Sequence, residues 1–402
     1  MRVQWVPKII RKLRATPPND LRYNIVIHAR TDQVGCKQNS ASITATKMKT
    51  SISTPIPAKR CIIPAILFIA AVALSAGPRP RFQLTDLGTL PGAGPGGIPY
   101  AINDQGDVVG AAPDRNRVLR PFLYRNGAMI DPRPGTSGPG EALAINAAGQ
   151  IITKEYIAPN LHYFLVSNGA AVDISPSSGR TFAVYNLNAD GLVVGAYSPG
   201  DAFTWREGAF ALLERPADAS ISVALDINGA GLIAGVVRLP SSLFALDSYR
   251  ATLFREGQPA EVLGLPAGAV GATARAINDS GDVAGDAYYD PYGEGQSRAF
   301  LYSGGEFRDL GVLPGDVVSN GFDVNNSGQV VGISQVPQYD VRAFLYSEGE
   351  LYDLNDLVKH IRGWHLRTAY AINNRGQIVG IAVVEGIERP YLLTPIRPGR
   401  SE

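Results

Sequence analysis

Short runs of alternating apolar and polar residues fill most of the chain, and one nine-residue phrase recurs among them. The phrase is apolar-Asn-x-x-Gly-x-apolar-apolar-Gly, and it first reads INDQGDVVG over residues 102–110. Its seven copies are marked by Asn103, Asn146, Asn188, Asn228, Asn278, Asn325 and Asn373. A repeat of 40–50 residues made of short strands is typical of propeller blades or of a solenoid.

Each repeat predicts four short strands, which we call A to D. Strand A ends at the asparagine, and strand B carries the two apolar residues before the last glycine. Strand C is an aromatic stretch such as AFLY at 299–302, and strand D holds an Asp-Leu pair such as Asp309 and Leu310. Asparagine can accept a main-chain N–H two residues on, and glycine takes a positive φ, so the Asn-x-x-Gly link predicts a hairpin turn. We interpret these residues as turn chemistry alone.

The two ends of the repeat region complete each other. Residues 82–92 read FQLTDLGTLPG and match FRDLGVLPG at 307–315, a strand D with its exit loop, whereas the last repeat ends after strand C. A closed ring uses such a clasp to hide its last strand edge. We therefore predict an all-β fold, a seven-bladed β-propeller with four antiparallel strands per blade, closed by the N-terminal strand on the C-terminal blade. Six or eight blades, or an open β-solenoid, are the alternatives.

The first 76 residues are predicted to be a leader, leaving residues 77–402 as a single propeller domain. Residues 61–76 form an apolar run preceded by Lys59 and Arg60 and closed by small residues, the order of a secretory signal peptide. Cleavage is expected after Ser75 or Ala76, with an uncleaved anchor as the alternative. Residues 1–47 lack such an apolar run, so we expect translation to start at Met48.

Charge divides the chain in the same place. Residues 1–60 hold 12 of the 37 Lys and Arg but only 2 of the 36 Asp and Glu, which leaves the remainder of the chain acidic. An acidic body argues against nucleic-acid binding, which needs a basic surface. Both cysteines, Cys36 and Cys61, precede the propeller, so the mature chain is expected to have no disulfide. We expect a secreted, extracellular protein, with the periplasm or the cell surface also open, that meets membrane only through an uncleaved signal segment.

The phrases resemble those of the HAF repeat family of extracellular bacterial proteins, whose units are similar to Ala-Phe-Leu-Tyr, Asp-Leu-Gly-x-Leu-Pro-Gly and Ile-Asn-x-x-Gly-x-Val-Val-Gly. The likeness covers roughly residues 82–395 and is clearest over 298–346. The histidine of the family name is replaced here, for example by Arg298 and Arg342, and Thr153 stands where unit two should have glycine. The resemblance implies secretion and a repeat architecture, and it supplies no catalytic residues.

No residue pattern in the body predicts catalysis, a metal site or a cofactor. There is no Gly-x-Ser-x-Gly, no His-Glu-x-x-His and no cysteine pair. His360 and His365 flank Trp364, and the sequence suggests no third ligand beside them, so we expect loop residues there. We predict no catalytic residues, no metal and no cofactor.

The candidate site lies on the loops between strands B and C, which vary in length while the turns do not. Tyrosines beside carboxylates suit sugar rings, whose C–H faces stack on aromatic rings and whose hydroxyls donate to acids. The predicted ligand-binding residues are Tyr288, Tyr289, Asp290, Tyr292, Glu294, Tyr249, Tyr339 and Asp340. The function predicted is a secreted, non-enzymatic binding or interaction module that uses this rim to bind a glycan or a protein. The alternative is an extracellular glycan hydrolase or lyase with paired carboxylates at the central channel.

Overall fold

The computed structural model describes residues 79–136, 138–176, 179–240, 248–290, 296–336, 340–359 and 362–396. The predicted signal segment, the expected start at Met48 and both cysteines lie outside these residues. The described part is a seven-bladed β-propeller, in which 28 strands form seven four-stranded antiparallel sheets. No helix in the part described is long and apolar enough to cross a membrane.

The first strand, β1 (Phe82–Asp86), belongs to the last blade. Blade 1 comprises β2 (Ile98–Ile102), β3 (Val108–Pro113), β4 (Leu119–Arg125) and β5 (Ala128–Ile130). Blade 2 comprises β6 (Gly140–Ile145), β7 (Ile151–Ile157), β8 (Asn160–Ser167) and β9 (Ala170–Asp173). Blade 3 comprises β10 (Phe182–Leu187), β11 (Val193–Tyr197), β12 (Asp201–Arg206) and β13 (Ala209–Leu212). Blade 4 comprises β14 (Ile221–Ile227), β15 (Ile233–Arg238), β16 (Tyr249–Arg255) and β17 (Gln258–Val262).

The remaining blades follow the same order. Blade 5 comprises β18 (Gly271–Ile277), β19 (Val283–Tyr288), β20 (Ser297–Ser303) and β21 (Glu306–Asp309). Blade 6 comprises β22 (Val318–Val324), β23 (Val330–Gln335), β24 (Val341–Ser347) and β25 (Glu350–Asp353), followed by the short helix α1 (Leu354–Leu357). Blade 7 comprises β26 (Trp364–Ile372), β27 (Ile378–Val384) and β28 (Ile387–Pro395) together with β1.

The predicted clasp is confirmed. Strand β1 pairs antiparallel with β28 over its full length, with Leu84 opposite Leu393, and supplies the fourth strand of blade 7. Phe82 is buried in the core of that blade beside Tyr391. The ring is therefore closed by main-chain hydrogen bonds between the two ends of the propeller.

The paired apolar residues of strand B are explained by burial on both faces of each blade. Successive side chains of a strand point to opposite faces. Val108 packs toward blade 7 with Val379, whereas Val109 packs toward blade 2 with Ala142, and both are fully buried. A blade covered on both faces needs continuous apolar runs, so the core is a series of interfaces between neighbouring blades.

The Asn-x-x-Gly turns form as the sequence predicts. In blade 1, Asn103 Oδ1 accepts the main-chain N–H groups of Gln105 (3.1 Å) and Asp107 (3.0 Å). The N–H of Gly106 donates to the carbonyl of Asn103 (3.0 Å), and Gly106 has a φ of +89°. All seven of these glycines have positive φ, which non-glycine residues rarely adopt.

Candidate functional site

Each innermost strand carries a β-bulge at the same place. In β22, Gly321 pairs with Gly332 and Asp323 with Val331, so Phe322 is an extra residue without a partner in the ladder. A bulge re-aims the side chain of its extra residue. The bulged residues of the seven blades are Tyr100, Leu143, Tyr185, Leu225, Arg275, Phe322 and Tyr370.

The bulged residues line a cavity on the propeller axis, which we call the channel cavity. It has a volume of about 420 Å³ and reaches from the bulges to the Asn-x-x-Gly turns of all seven blades. It therefore opens at the face that carries the turns between strands A and B, opposite the face that carries the B–C loops.

A ring of asparagines surrounds the mouth of the channel cavity. The Nδ2 of each motif asparagine donates to the main-chain carbonyl of the motif asparagine in the next blade, for example from Asn228 to Asn278 (2.9 Å). The bonds are 2.8–3.3 Å long, and all seven form. Our interpretation that these residues only form turns was wrong. The side-chain oxygen of each asparagine accepts N–H groups of its own turn, whereas its side-chain nitrogen links the blade to the next one.

Two carboxylates in the cavity wall bind main-chain N–H groups freed by the bulges. Asp226 accepts from Ile227 in its own blade (2.8 Å) and from Ile277 in the next (2.7 Å). Asp323 accepts in the same way from Val324 and Ile372, both at 2.8 Å. Removal from water raises the pKa of Asp226 to about 6 and that of Asp323 to about 8, and the charge of Asp226 adds to the effect on Asp323.

One side of the channel cavity is aromatic. The rings of Phe322 and Tyr370 stack at 6.0 Å with 15° between their planes, and Tyr100 meets Tyr370 edge-on at 6.5 Å. The guanidinium of Arg275 lies 6.0 Å from the centre of the Phe322 ring. These four residues come from blades 5, 6, 7 and 1, so they form a continuous arc.

A second cavity, the rim cavity, lies between blades 4 and 5 toward the B–C loops. Its volume is about 380 Å³, and its polar lining residues are Tyr249, Thr273, Arg275 and Tyr288. The hydroxyls of Thr273 and Tyr288 are 3.2 Å apart. Its apolar wall is formed by Pro199, Ile221, Val223, Leu225 and Val236.

Arg275 lines both cavities, and an ion pair with Asp286 fixes the orientation of its side chain. Its Nε donates to the carboxylate of Asp286, which is fully buried and also accepts the main-chain N–H of Gly321 (3.1 Å). Burial and the Asp286 charge raise the pKa of the Tyr288 hydroxyl, so that hydroxyl stays neutral and can donate. The rim cavity therefore offers aromatic faces, hydroxyls and one oriented cation.

The structure brings together only some of the residues predicted from the B–C loops. Tyr249 and Tyr288 both line the rim cavity. Tyr289 is half-buried against the core of blade 5, and Asp290 follows it on the same loop. Asp340 belongs to another part of the rim, where its Oδ1 is 2.9 Å from Nε2 of His365. Outside the described residues lie Tyr292, Glu294 and Tyr339.

Thr273, Arg275 and the bulged positions were missed by sequence reasoning, because it looked for ligand contacts only in loops. The available signal was the third residue before each motif asparagine, which changes from copy to copy while the motif asparagine and the apolar residue before it are kept. His162, like His365, has a carboxylate partner, Asp173 Oδ2 at 2.8 Å, and His360 lies outside the described part. Among the residues described, no three His, Cys, Asp or Glu side chains are grouped to hold a metal ion.

Comparison with known proteins finds similar solved structures but no family. No family model and no curated protein matches the chain. Among solved structures, it is similar to the β-propeller domain of the Trilobed protease from Pyrococcus furiosus, with 12% identity and a TM-score of 0.49 over 80% of this chain and 97% of that one. It is similar to the structure of YCF48 bound to D1 peptide, with 12% identity and a TM-score of 0.49 over 82% of this chain and 98% of that one. It is also similar to the structure of SapL1 lectin in complex with alpha methyl fucoside, with 12% identity and a TM-score of 0.38 over 65% of this chain and 95% of that one.

Proposed function

We propose that this propeller is a secreted, non-enzymatic binding module whose rim cavity takes a sugar unit of an extracellular glycan. The observation that carries the proposal is the meeting of Tyr249 and Tyr288 with Thr273 and Arg275 around one cavity of about 380 Å³. Aromatic faces beside hydroxyls and a fixed cation match a sugar ring, which has apolar C–H faces and a rim of hydroxyls. A protein ligand is the other outcome of the test below.

The rigidity of the site supports binding there. Tyr288 is at the end of β19, and Tyr249 begins β16, so both are held by the sheets of their blades. Asp286 holds Arg275 from a position with no exposure to solvent. Groups that are already ordered lose less entropy when a ligand binds, which favours affinity.

Secretion and membership of the HAF repeat family are parts of the same proposal that depend on the sequence alone. The apolar run at 61–76 and the repeat phrases support them. N-terminal sequencing of the protein recovered from the medium of the producing cells tests the first. A mature N-terminus at residue 76 or 77 is expected, and retention of the whole protein in the cytoplasm would contradict it.

A glycan array probed with the chain 77–402 tests the binding function. We expect binding to a defined set of glycans, a loss of at least ~10-fold in affinity for Tyr249→Ala, and a smaller loss for Tyr288→Phe, which removes one hydroxyl. Tyr156→Ala is the control, because Tyr156 is an exposed tyrosine at the B–C end of blade 2, outside the rim cavity. Equal losses for Tyr156→Ala and Tyr249→Ala, or no glycan bound at all, would contradict the proposal. Release of new reducing ends from a bound glycan would instead favour the hydrolase alternative.

A further inference from the structure

The seven repeats serve as an internal alignment of the channel wall. At the motif asparagine all seven copies agree, and the residue before it is always Ile, Leu or Val. Two residues further toward the N-terminus, the bulged position holds Tyr, Leu, Tyr, Leu, Arg, Phe and Tyr in blades 1 to 7. The fold needs the first two positions and accepts many side chains at the third. The position between the bulged residue and the apolar residue also varies, among Ala, Asn and Asp, and it too lines the channel in most blades. Variation at the channel-lining positions beside a fixed turn motif is what a ligand site built into a symmetric scaffold requires.

The aromatic residues among the seven are placed to surround a small group. Phe322, Tyr370 and Tyr100 are partly exposed in adjacent blades, and Tyr185 lines the cavity from blade 3, which lies across the ring from blades 6 and 7. Arg275 already lies near the face of Phe322 at one end of the arc. Aromatic faces attract cations through the negative charge density above the ring.

The charge of the channel cavity selects the same kind of ligand. Four carboxylates line it, from Asp104, Asp226, Asp279 and Asp323, against one guanidinium, that of Arg275. This guanidinium is already paired with Asp286 behind the wall. Asp104 and Asp279 are held at the mouth by Asn374 and Asn326, through bonds of 3.0 and 2.8 Å to their side-chain amides. Near neutral pH the carboxyl of Asp323 is largely protonated, because burial raises its pKa to about 8, so the negative charge of this aromatic cavity comes from the other three aspartates.

We propose that the channel cavity binds a cationic group, an alkylammonium or a guanidinium, between the aromatic arc and the carboxylates of its mouth, Asp104 and Asp279. The channel cavity shares Leu225 and Arg275 with the rim cavity but opens at the opposite face. The proposed cation contacts, the aromatic rings of the arc and the carboxylates, lie outside the rim cavity, so the proposal does not depend on the glycan-binding function. The cation is carried either by a lysine or arginine side chain of a peptide or by a small free amine. Both present the same charged head on an apolar stem.

Calorimetric titration of the chain 77–402 tests this, with N-acetylarginine amide as the peptide-borne probe and agmatine as the free amine. N-acetylcitrulline amide is the neutral control, because it keeps the shape of arginine without its charge. We expect at least one cationic probe to bind and the citrulline probe to bind at least ~10-fold more weakly. The cationic probe bound more tightly indicates the source of the group. Binding should also weaken as salt is raised, since part of the attraction is between charges.

The double variant Phe322→Leu and Tyr370→Leu keeps apolar volume and removes the aromatic faces, so it should lower the affinity for the cationic probe by at least ~10-fold. Tyr249→Ala, which changes only the rim cavity, should leave the affinity for the cationic probe unchanged. If the double variant does not fold, Asp104→Asn replaces it, with an expected loss of severalfold that disappears at high salt. The proposal is overturned if neither cationic probe binds, if the citrulline probe binds equally well, or if the folded channel variant binds like the original chain.

Discussion

Asn373 Nδ2 donates a 2.8 Å hydrogen bond to the main-chain carbonyl of Asn103, a residue 270 positions earlier in the chain. This bond joins blade 7 to blade 1 and completes the ring of seven amide bonds around the channel mouth. Together with the pairing of β1 and β28, it closes the propeller twice, once at the axis and once at the periphery. The side chain that forms each turn thus also fixes the position of the neighbouring blade.

The ring bond can be separated from the turn by replacing Asn228 with Asp. Asn228→Asp keeps the oxygen that accepts the N–H groups of Ala230 and Leu232, but it replaces the donor to the Asn278 carbonyl with an acceptor. We expect a loss of about 1–3 kcal/mol in the free energy of unfolding, because a buried carbonyl then loses its partner. Urea denaturation at pH 7 measures it.

Asp190→Ala is the control for this variant, because Asp190 is exposed in the corresponding turn of blade 3, where only its main-chain N–H bonds to the motif asparagine. It should change stability by less than ~0.5 kcal/mol. Equal stability of Asn228→Asp and the original chain would mean that the amide ring contributes nothing to blade packing.

The blades could be predicted from the sequence because the signals that specify them are local. An asparagine and a glycine three residues apart specify each turn, and the stray strand D at Phe82 reveals the closure. The amide ring could not be predicted, because the contact of Asn228 with Asn278 depends on the curvature of the whole ring. The bulges were missed for a similar reason, since nothing in the residues around Phe322 distinguishes an extra residue from an ordinary strand position.

The candidate site was predicted less well than the fold. Loop length directed attention to Tyr288 and Tyr249, which line the rim cavity, but also to Asp340, which pairs with His365 elsewhere. Arg275 lies within a strand, where an alternating pattern predicts only a solvent-facing position. Its role in both cavities depends on the bulge and on Asp286 from the next strand of the same blade.

Removing the clasp strand should destabilise the propeller strongly. A chain starting at residue 93 lacks β1, so it exposes the edge of β28 and removes the buried side chains of Phe82 and Leu87. Each fully buried apolar side chain of this size contributes about 1.5–3 kcal/mol, so we expect a loss of at least ~3 kcal/mol. The comparison is with a chain starting at residue 77, by thermal unfolding followed by circular dichroism. Identical melting temperatures for the two chains would show that the ring does not need its clasp.

In every repeat but the second, which has Thr153, the last glycine of the repeat phrase lies close against the main chain of the neighbouring strand, and Gly285 tests this packing. A Cβ on Gly285 would overlap the main-chain carbonyl oxygen of Thr273 and lie 3.0 Å from the Phe300 ring. Gly285→Ala should therefore cost at least ~2 kcal/mol in unfolding free energy, because strands β18 and β19 would have to separate. Gly264→Ala is the matched control, since a Cβ there meets no atom within 4 Å. A neutral Gly285→Ala would contradict the close approach of these two strands.

Stability should fall as pH rises from about 4 to 8, because of the two aspartates in the channel wall. Their pKa values are raised from 3.8 to about 6 for Asp226 and about 8 for Asp323, mainly by removal from water. In that pH range the folded chain binds more protons than the unfolded chain, so each step up in pH favours unfolding. The stabilisation is complete below pH 4 and is lost as pH passes the folded pKa of each group, with an upper bound on the order of 9 kcal/mol in all.

Urea denaturation midpoints between pH 4.5 and 8.5 measure this slope. Asp323→Asn should abolish the slope between pH 6 and 8 and roughly halve it below pH 6, whereas Asp226→Asn should roughly halve it below pH 6 and leave it unchanged above. Each variant loses stability overall, because an amide nitrogen now faces a main-chain N–H. Asp190→Asn, in an exposed turn, should leave the slope unchanged. Burial also raises the pKa of Asp286, so a residual slope is expected in the double variant. A slope as steep as that of the original chain would assign the whole pH dependence to other groups, and the channel carboxylates would then be ionised throughout this range.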